Sequence, residues 1–322
     1  MKNSRKKGLV TVFAIVFVLL PASFWGFRFF SKNYIPTNAY PEVSSRLQQH
    51  VYRFSHELGR RETRHPENLN KAAEYIKNEF EIYGYTVKRQ SYNVNEGPVE
   101  NIIARKDWKV IVVGAHYDTA DNPGADDNAS GVATMLELAR QLSNISMPIP
   151  VEFVAFVNEE PPYYHSDKMG SSIYVETLKN ENRSIKTALI LEMVGYYKDT
   201  WFSQEYPGLF GFFFPNKGNF IALVGNASSS DLTKKIKQEI LNSTPLPVER
   251  IAFDFTAKFL DFSDQWAFWK KGMSAIMITD TSFFRNPNYH KQTDTYDTLD
   301  YGRMSELTIG LKNFLMSFKE EN

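Results

Sequence analysis

The chain has no cysteine. That absence removes disulfides, thiolate nucleophiles and thiolate metal ligands together, leaving histidine and carboxylate as the candidate metal ligands. It also lacks an excess of charge of either sign: 37 Lys and Arg residues balance 37 Asp and Glu. No global field draws the protein to nucleic acid or to an anionic membrane surface, so binding must be local. Internal repeats and low-complexity tracts are missing as well. What remains is ample core material, since 43% of the 322 residues are apolar and 15% aromatic, enough for one large domain or two small ones.

One long apolar run stands out. Lys2, Arg5, Lys6 and Lys7 precede Leu9 to Phe27, a stretch without charge, and Arg28 and Lys32 follow it. A run of about 19 residues can cross a bilayer core. Pro21-Ala22-Ser23 fits a small-residue cleavage site poorly, which favours an uncleaved anchor over a signal peptide. The expected organisation is a basic cytoplasmic tail over 1–8, a transmembrane anchor over 9–27, a linker over 28–40 and the catalytic body over 41–322. The charges before the span outweigh those after it, so the body is expected on the periplasmic or extracellular side.

Helical periodicity is read over Glu42 to Leu58 and Glu67 to Tyr83, then over 131–144, near 229–242 and over 303–318. Four apolar runs read as buried strands: Val110 to Ala115, Val151 to Val157, Ala188 to Met193 and Ser274 to Thr279. Continuous apolar strands alternating with helices predict an α/β fold, a mainly parallel sheet covered by helices on both faces. The stretch Tyr196 to Phe220 holds Trp201, Phe202, Tyr206, Phe210, Phe212, Phe213 and Phe214 amid Gly and Pro, suited to a cleft wall or to a satellite core under a long loop.

Polar groups recur where the strand patterns end. His116 and Asp118 close the first, Glu159-Glu160 the second, Glu192 interrupts the third, and Tyr289-His290 lies in the loop after the fourth. Such loops converge at the carboxyl edge of a parallel sheet, where ligands bind. Each piece alone is weak, because paired glutamates are usually a solvated face. A double negative charge at the end of a buried strand, however, is costly without a cation, and a lone carboxylate in an apolar run needs a partner. The polar loop Gly124-Ala-Asp126-Asp127-Asn128-Ala-Ser130-Gly131 sits at the first strand-to-helix junction, and a divalent metal is the first hypothesis for it.

In these motifs the chain resembles the di-zinc exopeptidases, metallopeptidase family 28, which include bacterial leucyl aminopeptidases and glutamate carboxypeptidase, with glutaminyl cyclases and the transferrin receptor as relatives. The resemblance covers roughly residues 42–318 and is carried by His116-Tyr-Asp118, the 124–131 loop, Asn158-Glu159-Glu160 with Met169-Gly-Ser171, Leu191-Glu192-Met-Val-Gly195, Ser263-Asp264 and Tyr289-His290 with Asp294-Thr295. It implies a three-layer sandwich holding two Zn²⁺ per chain. His116 and Glu192 would bind one ion, Glu160 and His290 the other, and Asp126 would bridge them, with Asp127 in support and a cis peptide between these two acids. Asp118 would accept the proton-bearing nitrogen of His116. Glu159 would be the general base toward water held by the metals, and Tyr289 a donor to the developing oxyanion, unless it merely packs beside a ligand. Two dications would be offset by Asp126, Glu160, Glu192 and a hydroxide.

The chain departs from the family pattern at three places. Glu192 stands where many members carry Asp, Pro161-Pro-Tyr-Tyr-His165 replaces a glycine-containing turn, and Gln265 follows Asp264 where relatives often carry His, leaving Asp264 a supporting role. Arg285 could grip a substrate carboxylate or an oxyanion, or pair with a nearby Asp. His165 reads as a rim residue, and His50, His56 and His65 as structural. The resemblance implies a membrane-anchored zinc aminopeptidase acting on peptides with a free N-terminus. A glutaminyl cyclase-like acyltransferase, or a carboxypeptidase or dipeptidase of the same family, is the alternative.

Overall fold

Residues 34–35, 37–105, 110–208, 210–253 and 260–319 are described by a computed structural model. The anchor expected over 9–27 lies outside these residues, and among the described residues no helix is long and apolar enough to cross a membrane. In chain order the strands are β1 (Thr86–Val94), β2 (Gly97–Arg105), β3 (Val110–His116), β4 (Val151–Phe156), β5 (Ile185–Leu191), β6 (Ile221–Gly225), β7 (Val248–Ala252) and β8 (Ala275–Thr279). The helices are α1 (Pro41–Tyr52), α2 (Pro66–Ile82), α3 (Gly131–Leu142), α4 (Gly170–Asn180), α5 (Ser230–Ser243), α6 (Gln265–Lys270) and α7 (Tyr301–Ser317).

The strands form one eight-stranded sheet in the order β1-β2-β4-β3-β5-β8-β6-β7. Its middle is parallel: β3 pairs with β4 on one side and with β5 on the other, and β5 pairs with β8. All four strands expected from the sequence are these central ones. Every residue of β3, β4 and β8 is buried, which is why they read as largely apolar runs despite Glu152 in β4. The antiparallel hairpin β1/β2 carries a different signature. Most of β1 is solvated, with Lys88 and Arg89 outward, so it lacks an apolar run and its charges protect an open edge. Strands β6 and β7, five residues each, complete the other edge of the sheet.

Leu69, Ala72, Ala73, Ile76 and Phe80 of α2 recur at helical spacing and are all buried, as a helix laid against a sheet requires. Helix α1 ends six residues earlier than its periodicity suggests; a single wider turn, Arg53–Leu58, continues it before Gly59 (φ 66) reverses the chain. The described residues of 34–197 and 220–319 belong to one compact unit and those of 198–219 to another. Within 198–219 Tyr206 stacks on Phe214 at 5.9 Å and the Lys217 ammonium sits 4.4 Å from the Trp201 ring centre, while Phe202 and Phe213 are exposed.

Arg61 holds the loop after β3 in place. Its fully buried guanidinium donates to the carbonyls of Tyr117 (2.9 Å), Phe54 (2.8 Å), Gly59 (2.7 Å), Pro123 (2.9 Å) and Gly124 (3.1 Å), and its amide donates to Thr119 Oγ1 (2.9 Å). Burial pulls its pKa down to about 10, against the pull of Asp118, Asp294, Asp127 and Glu62, so the cation survives at neutral pH. Arg61→Met leaves these carbonyls without their donor and is expected to cost roughly 2–4 kcal/mol, read as a drop in chemical-denaturation midpoint at unchanged slope.

Candidate metal centre

Four parallel strands deliver the site, each at its carboxyl end. His116 is the last residue of β3, Glu159-Glu160 lie three and four residues past β4, Glu192 directly follows β5, and His290 stands in the loop after β8. This is where β3 has neighbours on both sides from opposite winding directions, the position at which open α/β sheets bind ligands. Left-handed backbone at Asn158 (φ 62), Met193 (φ 49) and His290 (φ 54) turns the chain sharply beside these groups. For Met193 and His290 that conformation is strained, and surrounding contacts must enforce it.

One carboxylate stands between the two histidines, and it is Asp127. Its Oδ1 lies 3.3 Å from His116 Nε2, which is also 3.3 Å from Glu192 Oε2. Its Oδ2 lies 3.1 Å from His290 Nε2, which is 3.2 Å from Glu160 Oε1. Two donor sets therefore share one residue: His116, Asp127, Glu192 and Asp127, Glu160, His290, each with its ligand atoms within 4.8 Å of one another. The expected bridge, Asp126, is corrected by one position. Its oxygens are spent elsewhere, Oδ1 accepting from the Gly195 amide (2.9 Å) and Oδ2 from Asn286 Nδ2 (2.7 Å). Burial and the facing Asp280 hold the Asp126 carboxyl well above its usual range. The cis peptide is displaced by the same step and joins Asp127 to Asn128.

Backbone fixes that register. Asp294 accepts the amides of both Asp126 (2.9 Å) and Asp127 (3.1 Å). Asn128 donates to Leu191 O (2.8 Å) and accepts from the Met193 amide (3.0 Å), so it clamps the two residues flanking Glu192. Gly131 is required there, since a Cβ would stand 2.4 Å from Asn128 Oδ1 and 2.6 Å from Leu191 O. Asp118, expected to accept from His116, lies 3.5 Å from its Nδ1 outside hydrogen-bond geometry, and it also accepts the amides of Glu159 (3.2 Å) and Glu160 (3.1 Å). Ser263 Oγ donates to Glu192 Oε2 at 2.6 Å. These partners are spread over the chain, and only their motifs, not their contacts, were visible in the sequence.

Several buried atoms here accept or donate no hydrogen bond: both ring nitrogens of His116, Nε2 of His290, Asp127 Oδ2 and Glu160 Oε1. Orphaned polar atoms aimed at one another are costly unless a cation meets them. The electrostatics agree. Burial, reinforced by Asp127, pushes the Glu160 carboxyl up to about 8, and burial with Glu192 and Glu160 raises Glu159 well above its usual range despite His116. Burial opposes protonation of His290, yet Asp127 and Glu160 push its pKa up to about 10. Too many carboxylates crowd too little positive charge. Two imidazoles and three carboxylates, with no sulfur, form a donor set that suits zinc.

Glu159 Oε2 stands 4.0 Å from His116 Nε2, beside the cluster and outside both donor sets. Tyr289 stacks on His290 at 3.8 Å, and burial followed by the charges of Asp127 and Glu160 keeps its phenol protonated. Asp264 is fully buried next to Ser263, and burial pushes its carboxyl up to about 7. For Arg285 the structure favours the second of its two expected roles, a place beside a nearby Asp. It is buried, donates to Phe220 O (2.8 Å), lies over the Phe220 ring at 4.6 Å and offsets the charge of Asp280. His165 is sandwiched between Tyr164 (4.1 Å) and Trp266 (4.5 Å) with Nε2 on Asp261 O, as a rim residue and not a ligand.

Comparison with known proteins matches residues 101–314 to "Peptidase family M28". The uncharacterized protein YfbL of Escherichia coli K12 is 38% identical over 297 residues, covering 88% of this chain and 90% of that one. Leucine aminopeptidase 1 of Paracoccidioides brasiliensis is 26% identical over 71% of this chain, which spans 58% of that longer protein. The fold is also that of a Bacteroides thetaiotaomicron glutaminyl cyclase, at TM-score 0.65 and 18% identity over 86% of this chain and 98% of the other. The chain belongs to peptidase family M28, hydrolases acting on peptide bonds.

Proposed function

We propose that the chain is a membrane-anchored zinc aminopeptidase with two Zn²⁺ per chain, removing residues from peptides with a free N-terminus. The observation that carries the reading is the placement of the two Asp127 oxygens against two separate histidine-carboxylate sets. His116 and Glu192 would hold one ion, Glu160 and His290 the other, and Asp127 both. When bound, such a pair supplies Lewis acidity toward a carbonyl and makes water a nucleophile at neutral pH. Glu159, left out of the ligand sets, takes the proton of the attacking water and returns it to the leaving amine. Burial raises its proton affinity, which suits a group that must hold that proton between the two steps. Tyr289, with its hydroxyl proton retained, donates to the oxyanion.

The amine-end preference rests on the leucine aminopeptidase relative, and the anchor rests on the charge-free run Leu9 to Phe27 with its basic flank. The fold shared with a glutaminyl cyclase keeps acyl transfer as the second reading. A panel of free-amine, N-blocked and N-terminal glutamine peptides, with and without chelator, separates them. Cleavage of free-amine peptides alone, lost with chelator, is expected. Cyclisation of the glutamine peptides without hydrolysis would overturn the aminopeptidase reading. Release of the protein from membranes by carbonate would overturn the anchor.

A further inference from the structure

We propose that Glu62, His65 and Asp121 form a second, peripheral site for a zinc-type dication, outside the catalytic cluster. Their ligand atoms lie within 4.8 Å of one another. Glu62 carries the argument. It is 7% exposed, its Oε2 accepts from Thr119 Oγ1, and its buried Oε1 accepts no hydrogen bond while facing His65 Nε2 at 3.4 Å. An orphaned carboxylate oxygen aimed at an imidazole is the same signature that marks the main centre. His65 and Asp121 are half-exposed, so an ion can enter from solvent and water can complete its coordination. The imidazole selects zinc-like ions over calcium or magnesium, which prefer oxygen donors throughout.

Two arginines already stand near. Arg60 pairs with Asp121 Oδ1 at 3.1 Å and Arg64 lies 3.9 Å from Glu62 Oε1. Both arginine side chains are solvated, so an ion with three directed ligands can displace them into water. The site joins the turn before α2 to the loop between β3 and Asp127. Arg61 and Thr119 already stitch these segments together, and Gln292 Nε2 donates to Asp121 O at 2.8 Å. A bound ion would staple the loop that presents Asp127, without touching the catalytic groups.

Equilibrium dialysis of the full chain against zinc alone, followed by metal analysis, tests this. The parent is expected to hold one more zinc per chain than His65→Ala and Asp121→Asn, both surface changes. In a His116→Ala/His290→Ala background one zinc is expected to remain, and to vanish when His65→Ala is added. Equal zinc content in the parent and both single variants would overturn the proposal. So would a folded double variant that binds no zinc, with folding checked by circular dichroism. The readout does not depend on the aminopeptidase reading: if the main centre took no zinc, the difference between parent and His65→Ala would still decide.

Discussion

Glu159→Gln is expected to lower kcat on aminoacyl anilides by about 10²–10⁴-fold, the usual contribution of a positioned proton-transfer group, with KM and zinc content near those of the parent. The split matters because Glu159 sits next to Glu160. If the side chain at 159 were a ligand, the amide would lower zinc content along with rate. Its placement beside His116 Nε2 but outside both donor sets predicts that only the rate falls. Normal activity in the variant would remove Glu159 from the mechanism.

Asp127→Asn and Asp126→Asn are expected to behave as opposites although they are adjacent and chemically identical. Asp127→Asn should weaken zinc binding by more than about 100-fold, beyond the 10–100-fold typical of groups that only support a ligand, because one residue serves both donor sets. Asp126→Asn should keep its zinc. Its cost is to the fold, since the new amide faces the Asn286 amide that now donates to it, and a loss of about 1–3 kcal/mol is expected. Metal analysis beside thermal melting reads both. Full zinc in Asp127→Asn with loss in Asp126→Asn would restore the bridge to Asp126.

That contrast shows where sequence reading stops. His116, Glu159-Glu160 and Glu192 were legible because each ends or follows an apolar strand, where a charged group has to be explained, and His290 because of its place in the loop after another. The choice between Asp126 and Asp127 was not legible. It is made by backbone amides donating to Asp294, a residue 167 positions away, and no local pattern encodes it. The central strands were read correctly because burial on both faces leaves an apolar record, whereas β1, solvated and charged, left none. The sequence leaves Arg285 open between a substrate and a nearby Asp, and nothing in the spacing says that Asp280, five positions away, is the group whose charge it offsets.

Asp118 ties Glu159 and Glu160 to the strand that carries His116, and β3 and β4 are already paired through His116 and Phe156. The proton acceptor, one ligand of each donor set and their common support are thus joined by direct contacts, and any displacement of this pair of strands would carry them together. Shortening Asp118 would remove the acceptor of both amides and uncouple Glu159 and Glu160 from the strand that carries His116.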